Sequence, residues 1–512
     1  MPVATRSASS SLAKDSRALW SSHSGANLRV NATPGATSVV VTNADVLSGT
    51  PLYAVSTPGH FEIVSCAAGA THHGKTSKVT AITGTTLTVT DDFSAILAAG
   101  DIIAVLPPPS VEPSMPSGHT VRARNMNDYS KALGQTFDTD NTPMTADVDG
   151  DIPFYIIPTA EFPLRALAAG VGGYKTVRTV ADGATTNASA VVTSATATFG
   201  SSDVGLAITG AGIPASTTIL SVDSTTQVTM SANATATATG VSITIGTAGT
   251  HYFRPYEASD GTFASTGKGT LFSQEGNAVV RQAFFPLFGT RLSLDIPEGG
   301  LGNGSLSVLG AGSVREMGGA GKTFTSGANA YLRSNINCDT GPRLSFRGAF
   351  VELGGSYGAD LTSATSTTMQ NVNVSIERGS IVDRTLGTPY IVVPEEDTVT
   401  IRVTGRGILN DDVIYEASRG ATTDVDVGFK VETRMLVKLV SLADPTKAIT
   451  IDIPRGVFSD ESIDRATGRF KETFEFTALA TIDGSTNCPS TATPIFQIRA
   501  VSSVTKNLLN VV

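Results

Sequence analysis

Hydrophobic and polar residues alternate with a period of two in the last third of the chain. In segments 371–377 and 398–404, every second residue is valine or isoleucine and the residues between them are polar. Successive side chains of a strand point to opposite faces, so both segments are predicted to be strands with one buried and one solvated face. The polar residues of these two segments are Asn371, Asn373, Ser375, Glu377, Thr398, Thr400, Arg402 and Thr404.

The best helix pattern lies between the predicted strands, at residues 411–418. Asn410 or Asp411 can cap its start, acidic residues occupy its first turn, and Gly420 can end it. Alternation resumes after it, over 448–455 and 470–476. The predicted fold class is therefore mainly β, a sandwich or barrel with one short flanking helix.

Composition predicts two additional small β-domains. Residues 1–106 contain short β-like runs separated by Gly and Asp, and a stiff proline-rich segment follows them. Residues 177–247 are mostly Thr, Ser, Ala and Val, and their runs follow a similar order, which suggests a distant duplication. The charged residues among 177–247 are Arg178, Asp182, Asp203 and Asp223. The predicted boundaries are 1–106 (N-terminal β-module), 107–116 (linker), 117–176 with 248–340 (first half of the core), 177–247 (inserted β-module) and 341–512 (second half of the core).

The charge balance argues against a protein that grips nucleic acid. The chain has 36 basic and 45 acidic residues, a net charge of −9, whereas a nucleic-acid binder must neutralise phosphates with Lys and Arg. No apolar run approaches the ~20 residues of a membrane span, and residues 1–14 lack the residue order of a signal peptide. We therefore expect no membrane association, and assembly in a cytoplasm.

No segment has the pattern of a catalytic or metal site. Residues 318–323 resemble the end of a phosphate-binding loop, but Glu316 stands where that motif needs glycine. Adjacent His72 and His73 would point to opposite faces of a strand, so we interpret them as solvated. The one tryptophan, Trp20, lies near a terminus that we expect to be mobile, which leaves few platforms for a sugar. The widely spaced cysteines are Cys66, Cys338 and Cys488. We predict no enzyme activity, no metal and no cofactor.

Two stretches of the chain carry a familiar order of elements. In residues 285–310, a strand, a glycine-containing turn and a second strand form a predicted hairpin. Residues 372–476 predict two strands, the short helix and three further strands, the second of which ends in the sequence Ile-Asp-Ile-Pro-Arg at 451–455. In this order of elements the chain resembles the phage tail tube protein family. The two small β-domains lie outside the resemblance.

The resemblance implies a structural virion protein. In that family several copies, usually six, form a ring whose sheets join edge to edge into an inner β-barrel, and stacked rings form the tail tube for DNA ejection. The implied partners are further copies of the chain, other phage tail proteins, and double-stranded DNA that passes without specific binding. The implied location is the virion tail, assembled in the host bacterial cytoplasm. An acidic duct suits this role because like charge repels phosphate, and we predict that at least one of the polar rows at 371–377 and 398–404 faces the lumen. The alternative is that these polar residues face solvent on the outer surface.

Two other functions fit the same sequence. One is another virion structural protein, such as a connector, sheath or decoration protein built from similar β-modules. The other is a host-surface or glycan-binding adhesin, which the Thr/Ser-rich residues 177–247 would favour.

Overall fold

The structure is a computed structural model that describes most of the chain. The described residues are 17–22, 25–41, 61–65, 76–90, 92–107, 111–130, 140–256, 262–275, 280–310, 313–317, 341–355, 366–367, 369–383, 392–408, 432–464, 471–479 and 494–509. Within these residues the protein is mainly β, as predicted, with antiparallel strand pairs and one α-helix.

The strands range in length from 2 residues to 17 residues, and both extremes occur in the core. The first ten are β1 (Arg17–Ser21), β2 (Ala26–Arg29), β3 (Ser38–Val40), β4 (Phe61–Ser65), β5 (Thr76–Thr83), β6 (Thr86–Val89), β7 (Ile102–Leu106), β8 (Arg122–Ser130), β9 (Asp140–Tyr155) and β10 (Gly173–Thr176), with helix α1 (Glu161–Val171) between β9 and β10. The next ten are β11 (Arg178–Thr185), β12 (Val191–Thr193), β13 (Ile208–Gly210), β14 (Ile219–Ser224), β15 (Gln227–Met230), β16 (Ala238–Ile245), β17 (Thr250–Arg254), β18 (Ala264–Ser265), β19 (Lys268–Glu275) and β20 (Val280–Ile296). The last ten are β21 (Asn303–Gly310), β22 (Ser313–Met317), β23 (Ala349–Leu353), β24 (Ser366–Thr367), β25 (Met369–Asp383), β26 (Val392–Ile408), β27 (Thr433–Val440), β28 (Ala448–Asp464), β29 (Lys471–Ala478) and β30 (Gln497–Val501). Short 3₁₀ turns lie at Ser201–Asp203 and Phe346–Gly348.

One layer of the core is a broad sheet, which we call the front sheet. Its strand order is β8-β9-β21-β20-β25-β26-β29-β28. The predicted hairpin of residues 285–310 is confirmed as β20–β21, and the predicted strands of residues 372–476 are confirmed as β25 to β29. In the register of β25 and β26, Val374 lies opposite Val403 and Ile376 lies opposite Ile401. The apolar residues of both alternating segments therefore share one face.

The second layer, the back sheet, has the order β24-β23-β27-β28-β30-β17-β10. Strand β28 belongs to both sheets, because its first half pairs with β27 and β30 and its second half with β29. One apolar core lies between the sheets, and each fully buried Val or Ile in it contributes roughly 1.5–3 kcal/mol to folding. Its members include Val374, Ile376, Ile401 and Val403 from the front sheet and Val437, Ile449, Ile451 and Ile498 from the back sheet.

Helix α1 packs between the two sheets. It contacts β20, β21 and β25 of the front sheet and β10 and β17 of the back sheet. Its Phe162 ring meets the rings of Trp20 and Phe154 edge-on, with centroid distances of 6.3 and 5.5 Å. Gly172 ends the helix with a φ of 97°, and its N–H donates to the carbonyl of Ala168 at 2.9 Å.

The sequence analysis did not predict α1. Every residue of the helix after Glu161 is buried, so the segment lacks the polar stripe that marks a surface helix. The helix that was predicted, at 411–418, lies outside the described residues.

Two small six-stranded sheets stand beside the core, one made of β2–β7 and the other of β11–β16, each with its own apolar cluster. With the strands of each sheet numbered one to six along the chain, both follow the cyclic order 1-6-3-4-5-2. Single bridges, Val30 to Val41 and Ala207 to Thr218, supply the pairing that closes each cycle. This shared closed order agrees with the duplication that the sequence suggested.

Strand β1 belongs to the core, although the predicted N-terminal unit began at residue 1. It pairs with β19, with Trp20 opposite Leu271, and the N–H of Trp20 donates to the carbonyl of Val111 at 2.8 Å. Trp20 is fully buried in the main core. The expectation that Trp20 lies in a mobile terminus is therefore wrong, because burial of its indole ring and sheet pairing fix this segment.

Candidate channel surface

The outer face of the front sheet carries long polar rows. Six neighbouring strands, β9, β21, β20, β25, β26 and β29, turn their apolar residues to the core and mostly polar residues outward. We call these outward residues the polar face. They are Asp149, Asp151, Pro153, Tyr155, Arg291, Ser293, Asp295, Asn303, Ser305, Ser307, Leu309, Asn371, Asn373, Ser375, Glu377, Thr400, Arg402, Thr404, Arg406, Thr473, Glu475 and Thr477.

The strand register aligns these residues in rows across the sheet. Ser305, Ser293 and Ser375 lie side by side on three adjacent strands. The neighbouring row runs from Asn303 through Asp295, Asn373 and Thr404 to Glu475. Small uncharged side chains therefore make up most of these two rows, and the charged Asp295, Arg402 and Glu475 lie among them.

Each of two exposed arginines on the polar face lies near a glutamate of the next strand. Arg291 Nε is 3.6 Å from Glu377 Oε1, and both side chains are more than half exposed. Arg402 Nη1 is 3.5 Å from Glu475 Oε1, with exposed fractions of 52% and 33%. Exposed pairs contribute at most about 1 kcal/mol to stability. Their main effect is on the distribution of charge.

The structure describes seven of the predicted lumen residues together on this face. Residue Ser375 is buried, at 9% exposure, and its Oγ accepts a hydrogen bond from Arg291 Nε at 3.2 Å. Asn373 and Thr400 are half-buried, and the exposed members are Asn371, Glu377, Arg402 and Thr404. The side chain of Thr398 lies outside the described residues. That the face lines a channel stays a prediction.

A second polar site, buried, lies where the small sheet of β11–β16 joins the back sheet. Strand β10 leads into β11 through Val177 alone, and β16 leads back to β17 through residues 246–249. Asp203 is fully buried at this joint. Its carboxylate accepts a hydrogen bond from Lys175 Nζ at 2.6 Å on one side of Val177 and pairs with the Arg178 guanidinium on the other.

The cations at this joint hold Asp203 in its charged form. Burial alone would raise the pKa of Asp203, but hydrogen bonds from Arg178 and the charges of Lys175 and Arg178 outweigh it, so that pKa lies below its usual value. Lys175 Nζ also donates to the Ser202 carbonyl at 3.1 Å. The hydroxyls of Ser202 and Thr262 are 2.6 Å apart, which ties the small sheet to the core a second time.

A third polar site holds the C-terminal segment against the core. His251 Nε2 lies 2.8 Å from the Val504 carbonyl and Nδ1 lies 2.9 Å from the Tyr174 hydroxyl, which accepts the N–H of Leu508 at 3.2 Å. Because a carbonyl only accepts, Nε2 carries the proton and Nδ1 accepts from Tyr174. Burial lowers the pKa of His251 and raises the pKa of Tyr174 to about 12, so the neutral imidazole fits this site.

The sequence analysis missed both buried sites, although one left a signal. Arg178 and Asp203 are two of the four charged residues among 177–247 and carry opposite charges. A buried charge is usually paired with an opposite charge, so these two residues could have been proposed as an ion pair. The other two, the half-buried Asp182 and the exposed Asp223, accept hydrogen bonds from neighbouring hydroxyls. His251 lies buried in β17, in a segment without a strong pattern of alternation in the sequence.

The motifs weighed as chemistry lie outside the described residues: His72, His73, residues 318–323 and the three cysteines. Among the described residues, no group of three or more His, Cys, Asp or Glu side chains is placed to hold a metal ion. In the same residues, no helix has the length and apolar character needed to cross a membrane.

Comparison of the sequence with models of known protein families gives no match, and neither does comparison with curated proteins.

Proposed function

We propose that this chain is a structural protein of a phage tail that assembles into stacked rings, with the polar face lining the channel through which DNA passes. The observation that carries the proposal is the polar face itself. It spans six strands, and the same strands place their apolar residues in the core. Such a sheet can line a channel, because one of its faces packs on the core and the other is solvated.

The chemistry of the polar face suits passage of DNA better than binding. Serine, threonine and asparagine side chains keep a layer of water at the wall without supplying the positive charge that phosphates need. The face carries both signs of charge, and its exposed arginines Arg291 and Arg402 each have a carboxylate close by. A duplex sliding along it would meet no unopposed cation at these two positions.

The two ends of the front sheet support assembly through strand edges. Among the described residues, β8 pairs only with β9, and residues 457–464 of β28 pair only with β29. An edge with unpaired N–H and C=O groups can pair with a strand of another chain. In the proposed ring, these edges join the front sheets of neighbouring copies.

The two small sheets have a different role in this proposal. Each has its own core and its own closed strand order. The sheet of β11–β16 is joined to β10 and β17, which belong to the back sheet and carry no residue of the polar face. We therefore place it on the outside of the ring, where it does not obstruct the channel.

The test is the assembly state of the purified full-length protein, measured by sedimentation velocity and negative-stain electron microscopy over a range of concentrations. The proposal expects rings that stack into tubes with a channel wide enough for one duplex. Pentamers, or trimers that bind only to capsids, would support a connector or decoration protein. Chains that stay single at every concentration would contradict the proposal.

A further inference from the structure

We propose that Glu377 and Glu475 mask the arginines of the polar face, so that DNA phosphates do not bind there. The inference rests on the proposed function, in which the polar face meets passing DNA. In this role, Glu377 and Glu475 keep the contact between the polar face and DNA weak.

The geometry places each glutamate within reach of its arginine while leaving both accessible. The side chains of Arg291 and Arg402 are 54% and 52% exposed, so a phosphate could approach either. Arginine is the side chain best suited to bind phosphate with two hydrogen bonds. Unopposed, these two residues would be the strongest phosphate ligands at the centre of the face.

The carboxylates remove most of that attraction. A charge about 4 Å away in bulk water changes a binding constant about fivefold at low salt. Glu377 and Glu475 lie 3.6 and 3.5 Å from their arginines, so each offsets the attraction of one cation for phosphate. The third arginine of the face, Arg406, is half-buried and less accessible.

The masking residues come from neighbouring strands and depend on the register. Glu377 lies directly opposite Arg291 in the β20–β25 pair, and Glu475 lies next to Arg402 across the β26–β29 pair, opposite Thr404. Both pairs occur in the same sheet, on either side of the β25–β26 pairing, with the arginine on one strand and the glutamate on the next. A channel wall that must not retain a polyanion needs a carboxylate beside each exposed arginine, and both pairs on this face meet that need.

The experiment measures the affinity of a fluorescent 30-base-pair duplex for the full-length protein by anisotropy. It is done at a protein concentration where sedimentation shows single chains. The double variant E377Q/E475Q should bind about 25-fold more tightly than the wild type at low salt, about fivefold for each glutamate, and the difference should shrink as salt is added. The quadruple variant that adds R291Q and R402Q should return to the wild-type affinity.

The matched control is D223N/D444N, which removes two hydroxyl-bonded carboxylates that are not on the polar face, the exposed Asp223 and the half-buried Asp444. It has the same net charge as E377Q/E475Q and should stay within about twofold of the wild type, since neither of its changes removes a carboxylate that is paired with an arginine of the polar face. Equal affinity of E377Q/E475Q and wild type, or an equal gain in the control, overturns the inference. Tubes without a gain in DNA affinity would refute only the masking, and a gain without tubes would refute only the proposed function.

Discussion

Replacing Asp203 with asparagine removes the carboxylate that joins the small sheet of β11–β16 to the back sheet. The change keeps the shape of the side chain. It leaves Lys175, whose side chain is 3% exposed, and Arg178, which is 23% exposed, without their shared anion. The expected effect is a weaker joint between two units that each stay folded.

The magnitude follows from the burial of each partner. Breaking a buried ion pair by removing one partner destabilises by about 3–5 kcal/mol. Arg178 can regain water, and Lys175 keeps its hydrogen bonds to Ser202, so the lower end of that range, about 3 kcal/mol, applies here. At 1.4 kcal/mol per factor of ten, this is roughly a hundredfold rise in opening of the joint.

Hydrogen exchange followed by mass spectrometry measures that opening peptide by peptide. In D203N, exchange should rise roughly a hundredfold in peptides that cover residues 173–180 and 200–206. Peptides from β12 and β15 should keep their protection, because the cluster around Val192 and Val228 does not involve Asp203. Fluorescence of Trp20, the one tryptophan of the chain, reports in the same samples that the main core is intact.

The control is D223N, the same chemical change at an exposed carboxylate of the same small sheet. It should leave exchange at residues 173–180 unchanged. Two results would refute the reasoning. One is equal exchange at the joint in D203N and D223N. The other is loss of protection throughout residues 178–245 in D203N, which would assign Asp203 to the core of the small sheet instead of the joint.

Four further predictions follow. Folding lowers the pKa of His251 below 6.5 and the pKa of Asp203 below 3.8, so on acidification the unfolded chain takes up these two protons before the folded chain does. The free energy of unfolding, measured in urea by Trp20 fluorescence, should therefore fall in two steps, one starting near pH 6.5 and one starting near pH 3.8. The variant H251Q should lack the step that starts near pH 6.5. Deletion of residues 177–247 would connect the paired residues Thr176 and His251 by a turn made of residues 248–250. The shortened protein should still bury Trp20 and form rings. Insoluble protein would show that the deleted unit belongs to the core. I401A should destabilise by about 2–5 kcal/mol through a cavity, whereas T400A on the opposite face should change the unfolding free energy by less than about 0.5 kcal/mol. T400K/T404K should fold normally yet bind duplex DNA with an affinity that falls steeply with salt; no gain over wild type in anisotropy would show that the face is inaccessible to DNA.

The strands of the front sheet could be predicted because one face of the sheet is buried. The alternation around Ile376 and Ile401 specifies which residues point inward, and a slip of one residue would expose the whole apolar row. The opposite row, with Asn373 and Thr404, follows from the same period. Strands β20, β21 and β25 to β29 were predicted in this order, whereas β22, β23 and β24 were not.

The remaining features depend on contacts that a local pattern does not contain. Helix α1 is covered by sheets on both sides, so its buried residues show no helical stripe. Lys175 and Asp203 are 28 residues apart and meet only after two sheets have formed. The pairing of β1 with β19 likewise joins segments that are distant along the chain, which is why Trp20 was misplaced.

A density map of the assembled protein is the most direct test of the central claim. The account predicts rings in which the polar face, with Asn373, Ser375 and Thr404 near its middle, turns toward the axis and encloses a channel that admits one DNA duplex. The small sheet of β11–β16 should project outward from the same map. A map with the polar face on the outer surface, or an assembly without a central channel, would contradict the account.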